Sequence, residues 1–262
     1  MIRLIAIDLD GTLLNSKSRI SVRNKEAIKK CLKSGIKVIL STGRSIFFVG
    51  KLIRELHLTD PQIAAGGAAV VDKNLNLLVT LKIPKASCIE VIEMAREWEK
   101  GCAVQTTDGV LYYDREHPFL KYISAADEPL KKVKDLTSDY ITENSLILTL
   151  TIDRNDSFNE YLESNIGNDI KARRGGPYFL NVLNKKAGKV FGIKKILEIT
   201  GIKQSQVLAI GDSENDLGVI RFAGTGVAME NSPWIVKKAA DSVVSENDKD
   251  GVAEAIYKYL NL

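Results

Sequence analysis

Short apolar runs alternate with amphipathic helical stretches at both ends of this chain, and that rhythm limits its fold more than any other feature. "LIAIDL", "IKVILST" and "QVLAIGDS" are apolar without strict alternation, as expected of strands buried on both faces. Between the first two, "NKEAIKKCLKS" gathers Ala27, Ile28, Cys31 and Leu32 on one helical face, with Ser21 placed to cap its start and Gly35 to end it. This spacing predicts an α/β core: a doubly wound, Rossmann-like parallel sheet with helices on both faces. Such sheets place their working site outside the carboxyl ends of the strands, where the strand order reverses.

The middle of the chain breaks the rhythm. From about Pro84 to Asn184 there is one long amphipathic helix, "SCIEVIEMAREWEKG", then the strand-like pieces "VLYYD", "LILTLTI" and "YFLNVL" separated by polar turns. Strands grouped with fewer helices predict an inserted α+β domain. The expected division is a core over residues 1–83 and 185–262, interrupted by an insert over 84–184.

The carboxyl ends of the predicted core strands carry the chemistry. The first ends in Asp8 and Asp10, the second in Ser41, Thr42, Gly43 and Arg44, and a late one in Asp212 followed by Asn215 and Asp216. Lys189 precedes the helix that follows the insert. A parallel sheet brings all of these to one edge. Buried carboxylates without a partner are costly, so converging aspartates call for a cation. Oxygen ligands without His or Cys point to Mg²⁺. A magnesium ion beside a lysine and a hydroxyl is a site for phosphoryl oxygens. Asp8 could attack phosphorus, and Asp10, two residues on, could move the proton. Two aspartates after a strand can equally be caps for the next helix, and the pair alone does not decide.

Other features set limits. The net charge of +4 is spread along the chain with no basic block, which argues against a nucleic-acid partner. Cys31, Cys88 and Cys102 form no CxxC pair and read as free thiols of a reducing cytoplasm, rather than a disulfide framework or zinc site. The longest apolar-rich run, "SLILTLTI", is too short to span a membrane, and no signal peptide opens the chain. The two histidines, His57 at a helix end and His117 before Pro118, read as capping or surface residues rather than catalytic ones.

Taken in order, "DLDGTLL" (Asp8 to Leu14), "STGR" (Ser41 to Arg44), Lys189 and "GDSEND" (Gly211 to Asp216) resemble the haloacid dehalogenase superfamily. The insert and the tail "GVAMENSPWIVKKAADSVVSENDKDGVAEAI" resemble its Cof-like branch with a type IIB cap, so the resemblance spans nearly the whole chain. It implies a Mg²⁺-dependent phosphomonoester hydrolase acting on small phosphorylated metabolites, sugar phosphates or phosphorylated cofactors, through an aspartyl-phosphate. The partner implied is a small-molecule ester, with the chain a monomer or small homo-oligomer. Asp8 would be nucleophile and metal ligand. Asp10 would be the general acid/base and a ligand through its backbone carbonyl. Asp212 would be the third ligand. Thr42, Gly43, Lys189 and Asn215 would hold the phosphoryl group, and Asp216 would hold metal-bound water or orient Lys189. Arg44 would either reach the substrate or form a structural ion pair.

Two other functions share parts of the pattern: a phosphoglucomutase-like phosphotransferase, and a phospho-accepting signalling module resembling a response-regulator receiver. Receivers are shorter and lack the "GDSEND" string. The chain also departs from the pattern of the branch it resembles. Gly66-Gly67-Ala68 stands where Asn-Gly-Ala is usual, Val190, Phe191 and Gly192 follow Lys189 where Gly and Ala are usual, and Asn231-Ser232 replaces Asn-Ala. These changes leave the catalytic groups in place and put substrate contacts in question. Within the insert, "KARRGGPYF" (Lys171 to Phe179) and "TTDGVLYYD" (Thr106 to Asp114) are candidates for those contacts. The first also reads as a basic turn between strands, and Tyr112, Tyr113, Tyr178 and Phe179 read as core.

Overall fold

In the computed structural model, residues 1–152, 157–176 and 178–260 are described. The chain begins β1 (Leu4–Ile7), α1 (Val22–Lys33), β2 (Lys37–Leu40), α2 (Ile46–Leu56), β3 (Gln62–Ala64), β4 (Ala69–Val71) and β5 (Leu77–Thr80). It continues α3 (Lys85–Glu97), β6 (Cys102–Thr106), β7 (Leu111–Tyr113), α4 (Leu120–Ala125), β8 (Leu130–Lys132), α5 (Asp139–Asn144), β9 (Ser145–Thr151), α6 (Phe158–Asn165), β10 (Ile170–Gly176) and β11 (Phe179–Asn184). It closes with α7 (Lys189–Thr200), β12 (Val207–Gly211), α8 (Leu217–Phe222), β13 (Thr225–Met229), α9 (Trp234–Ala239), β14 (Ser242–Val244) and α10 (Gly251–Leu260).

These elements form two compact units. The first comprises Met1–Gly43, Val49–Leu77 and Gly188–Leu262, and the second Arg44–Phe48 with Leu78–Ala187. Among the described residues no helix is long and apolar enough to cross a membrane.

The first unit is built on a five-stranded parallel sheet in the order β14-β13-β12-β1-β2. All four residues of β1 are buried, which explains why its apolar residues do not alternate. Ile7 lies in register with Ile210 on one side and Leu40 on the other. The chain reversal therefore flanks β1, and Asp8, Gly211 and Ser41 leave the sheet side by side. Ser21 caps α1 by accepting from the Asn24 backbone N–H at 3.1 Å. The buried Asn24 then accepts from the Ala253 backbone N–H at 2.9 Å, fixing α1 to the start of α10. Beyond β2, a Ser41–Ile63 bridge leads into the antiparallel pair β3–β4. The sequence pattern reveals the start of β3 but not β5, whose residues Leu77 and Leu78 are exposed.

The second unit is an α+β fold: a six-stranded sheet in the order β10-β11-β9-β6-β7-β8, antiparallel except for β7–β8. Val104, Leu148, Leu150, Leu180 and Val182 from this sheet pack with Val91 and Ile92 of α3 and Phe158 and Leu162 of α6 in one core. One expectation is corrected here. Lys171 to Gly176 is not a turn but the body of β10. Ile170 and Ala172 join the core on one face, and the period of two sends Lys171 and Arg173 to the other. The basic residues hid a strand because only alternate positions are apolar. Pro177 lies outside the described residues. Of the aromatics read as core, Tyr112 is buried in it, whereas Tyr178 is exposed.

Candidate active site

The parallel sheet brings together residues from three distant stretches. Asp8 follows β1, Asp212 and Asp216 follow β12, and Lys189 opens α7. Lys189 Nζ donates to Asp8 Oδ1 at 2.5 Å and to Asp216 Oδ1 at 2.7 Å, and all three side chains are buried. Asp216 Oδ2 accepts from Ser213 Oγ at 2.8 Å, the Ser213 N–H at 3.1 Å and the Asp212 N–H at 3.3 Å. Asp216 is thereby fully engaged and holds the lysine in place. Thr12 Oγ1 donates to Asp212 Oδ1 at 2.8 Å.

Gly11 makes that approach possible. It sits at φ 82°, and a Cβ there would run into the Asp212 carboxylate. A brace from the C-terminal loops holds the same loop. Asn231 Nδ2 donates to the Gly11 carbonyl at 2.8 Å, and Asn231 Oδ1 accepts from the Asn247 N–H at 3.2 Å. Asn247 Nδ2 donates to the Leu14 carbonyl at 2.9 Å, and Asp248 accepts from the Ser16 N–H at 2.8 Å. Sequence reasoning assigned no role to Thr12, Ser213, Asn231, Asn247 or Asp248. All five lie inside strings quoted above, Thr12 and Ser213 in the two aspartate motifs and the other three in the tail, but nothing in the tail's pattern marks which of its side chains reach the first loop.

Carboxylate oxygens of Asp8, Asp212 and Asp216 lie within 4.8 Å of one another. Burial raises the Asp8 carboxyl above its ordinary range, and the nearby Asp216 raises it further. Burial likewise raises Asp212, against the Thr12 hydrogen bond. For Lys189, burial alone would favour the neutral amine, but the Asp216 and Asp8 carboxylates outweigh it and hold the ammonium form. With all three carboxylates ionised, one ammonium leaves two negative charges uncompensated in this buried cluster of oxygens, which is the cost that raises the Asp8 and Asp212 carboxyls. That donor set and charge fit a hard divalent cation.

The remaining sequence candidates fall as follows. Asp10 is exposed and bridges to Leu14 one turn beyond Asp8. Thr42 is buried at the end of β2, its N–H donating to the Ile63 carbonyl at 3.3 Å and its carbonyl accepting from the Gly66 N–H at 2.9 Å. Gly43 is exposed, and Asn215 is half-buried in the turn Glu214–Asp216. Arg44 belongs to the second unit. Its Nη1 donates to the Ala126 carbonyl at 2.8 Å and lies 3.8 Å from Glu128, while Glu128 also accepts from the Ser45 N–H at 3.2 Å. Those contacts match the ion-pair alternative for Arg44.

Fold and site define a hydrolase of the haloacid dehalogenase type. The haloacid dehalogenase-like hydrolase family matches residues 5–256, and the chain belongs to that family. Among its relatives, the 5-amino-6-(5-phospho-D-ribitylamino)uracil phosphatase YcsE of Bacillus subtilis (strain 168) is 32% identical, across 97% of this chain and 94% of that one. The pyridoxal phosphate phosphatase YbhA of Escherichia coli (strain K12) is 25% identical over 98% of both chains. The crystal structure of a haloacid dehalogenase-like hydrolase from Bacteroides thetaiotaomicron matches with a TM-score of 0.91 at 30% identity, covering 98% of this chain and 99% of that one. The chain is thus an enzyme of the phosphatase kind within this family.

Proposed function

We propose that this enzyme is a Mg²⁺-dependent phosphomonoester hydrolase for small phosphorylated metabolites, working through an aspartyl-phosphate on Asp8. The observation that carries this reading is the buried Asp8 carboxylate held at 2.5 Å by Lys189, beside Asp212 and Asp216. The relatives named for a ribitylamino-uracil phosphate and for pyridoxal phosphate support the substrate class.

In the first step an Asp8 oxygen attacks phosphorus and the ester P–O bond breaks. Asp10 gives its proton to the leaving alcohol oxygen. In the second step the Asp10 carboxylate takes a proton from water as that water attacks phosphorus, and the bond to Asp8 breaks. Inorganic phosphate and free Asp8 result. Lys189 and the Thr42 hydroxyl neutralise and orient the phosphoryl oxygens, with Gly43 and Asn215 at the rim of the same site. Lys189 also favours the anionic form of Asp8, against the burial that raises it. Mg²⁺, held by the Asp8 and Asp212 carboxylates with the Asp10 backbone carbonyl, would add positive charge to the transferred group. Asp216 serves by fixing Lys189. No phosphoryl contact is proposed for Arg44.

The test is phosphate release from a panel of phosphomonoesters, with Mg²⁺ and with EDTA, for the wild type and Asp8→Asn. Sustained, metal-dependent release that vanishes in Asp8→Asn supports the reading. Release that Asp8→Asn leaves unchanged overturns it.

A further inference from the structure

Three consecutive residues after β3, Ala65, Gly66 and Gly67, have φ of 50°, 61° and 88°. A run of left-handed residues is rare, and Ala65 has a Cβ that disfavours it. The turn is completely buried, so water does not relieve it. Strain that persists inside a core is retained for something it positions.

The turn touches two of the residues assigned to the phosphoryl site. The Gly66 N–H donates to the Thr42 carbonyl at 2.9 Å. Gly67 lies directly against the backbone that enters α7. A Cβ on Gly67 would overlap the Gly188 carbonyl group and stand 2.8 Å from the Lys189 backbone nitrogen. Backbone meets backbone there, so nothing flexible can give way. The contact fixes how closely the first turn of α7, which carries Lys189, approaches the end of the sheet.

We propose that the left-handed turn Ala65–Gly67 is a spacer that sets the Lys189 ammonium against Asp8, with Gly67 as a positioning residue. The inference rests on the functional reading of Lys189 given above. It also explains why the amide lost at Gly66 leaves the turn working. Only the backbone of Gly66 meets Thr42, and the steric demand falls on Gly67.

The test is a double-mutant cycle on the full chain, with phosphate release from p-nitrophenyl phosphate in Mg²⁺ as the readout. Gly67→Ala is expected to lower kcat about a hundredfold, as a misplaced catalytic group does, with KM within about threefold. In a Lys189→Met background the same substitution is expected to change the residual kcat by less than about threefold, because the group it misplaces is gone. Gly192→Ala is the control. Its Cβ would meet the Ile63 side chain at 2.9 Å, one turn further along α7, and kcat is expected to stay at the wild-type level. A folded Gly67→Ala enzyme with wild-type kcat overturns the proposal. So does an equal loss in both backgrounds, or an equal loss from Gly192→Ala. If circular dichroism shows Gly67→Ala unfolded, Ala65→Gly takes its place. That variant loosens the turn without adding an atom, and a kcat loss confined to the Lys189 background supports the spacer while unchanged kcat overturns it. A Lys189→Met enzyme with wild-type kcat overturns the functional reading itself, whatever the turn does.

Discussion

Lys189 Nζ donates to Asp8 Oδ1 at 2.5 Å across 181 residues of sequence. The bond joins the residue that follows β1 to the first residue of α7. One buried cation thus serves two carboxylates, because Asp216 holds the same ammonium at 2.7 Å. Removing either partner leaves buried charge exposed to its neighbours' repulsion, so the pair bears on both stability and chemistry.

Asp8→Asn keeps nearly the same volume and can still accept from Lys189. The fold is expected to survive, with an unchanged circular dichroism spectrum. Phosphate release is expected to drop by about a thousandfold or more, since the amide is no nucleophile.

Lys189→Met removes the only cation these two carboxylates share in the described structure. In EDTA, thermal stability is expected to fall by about 3 kcal/mol at most, because Asp8 can take up a proton and so limit the loss. The kcat for phosphate release is expected to fall about 10²- to 10³-fold, the range for losing one charge-stabilising donor. A differential scanning calorimetry trace and a progress curve check both.

Metal binding is expected to stabilise the fold. Mg²⁺ at a hundred times its dissociation constant adds about 2.7 kcal/mol to a state that alone binds it. The melting temperature should rise on adding Mg²⁺ and fall back with EDTA. Asp212→Asn should abolish most of that shift together with turnover. A melting temperature indifferent to both additions contradicts the metal assignment.

Cys31 and Cys88 are fully buried, and burial pushes both thiols from 9.0 up to about 11. Between pH 9 and pH 11 the unfolded chain releases these protons while the folded chain keeps them. Stability therefore falls as pH rises through that window. Native protein at pH 8 should resist alkylation at both positions, and denatured protein should not. Mass spectrometry of the two peptides reads this directly.

How much of this was legible in the sequence depends on whether a residue's job is local. Asp8, Thr42 and Asp212 could be placed because each ends an apolar run whose burial dictates a parallel strand. Lys189 could be placed because it opens a helix. β10 was hidden because Lys171, Arg173 and Arg174 mask the apolar alternation of Ile170 and Ala172. β5 was hidden because its leucines are exposed and no core pattern marks them. The Asn231–Asn247 brace and the Gly67–Gly188 contact were invisible for another reason. Each joins segments distant in sequence through a contact in which one partner is a backbone group, and backbone groups carry no residue code.

The most direct test of the covalent mechanism is rapid quenching of Asp10→Asn during turnover of a good ester, followed by peptide mass analysis. The expected result is one phosphoryl group on the peptide carrying Asp8, because the second step lacks its base. Phosphate release with the Asp8 peptide never modified would mean that water attacks the ester directly, and the aspartyl-phosphate would be withdrawn.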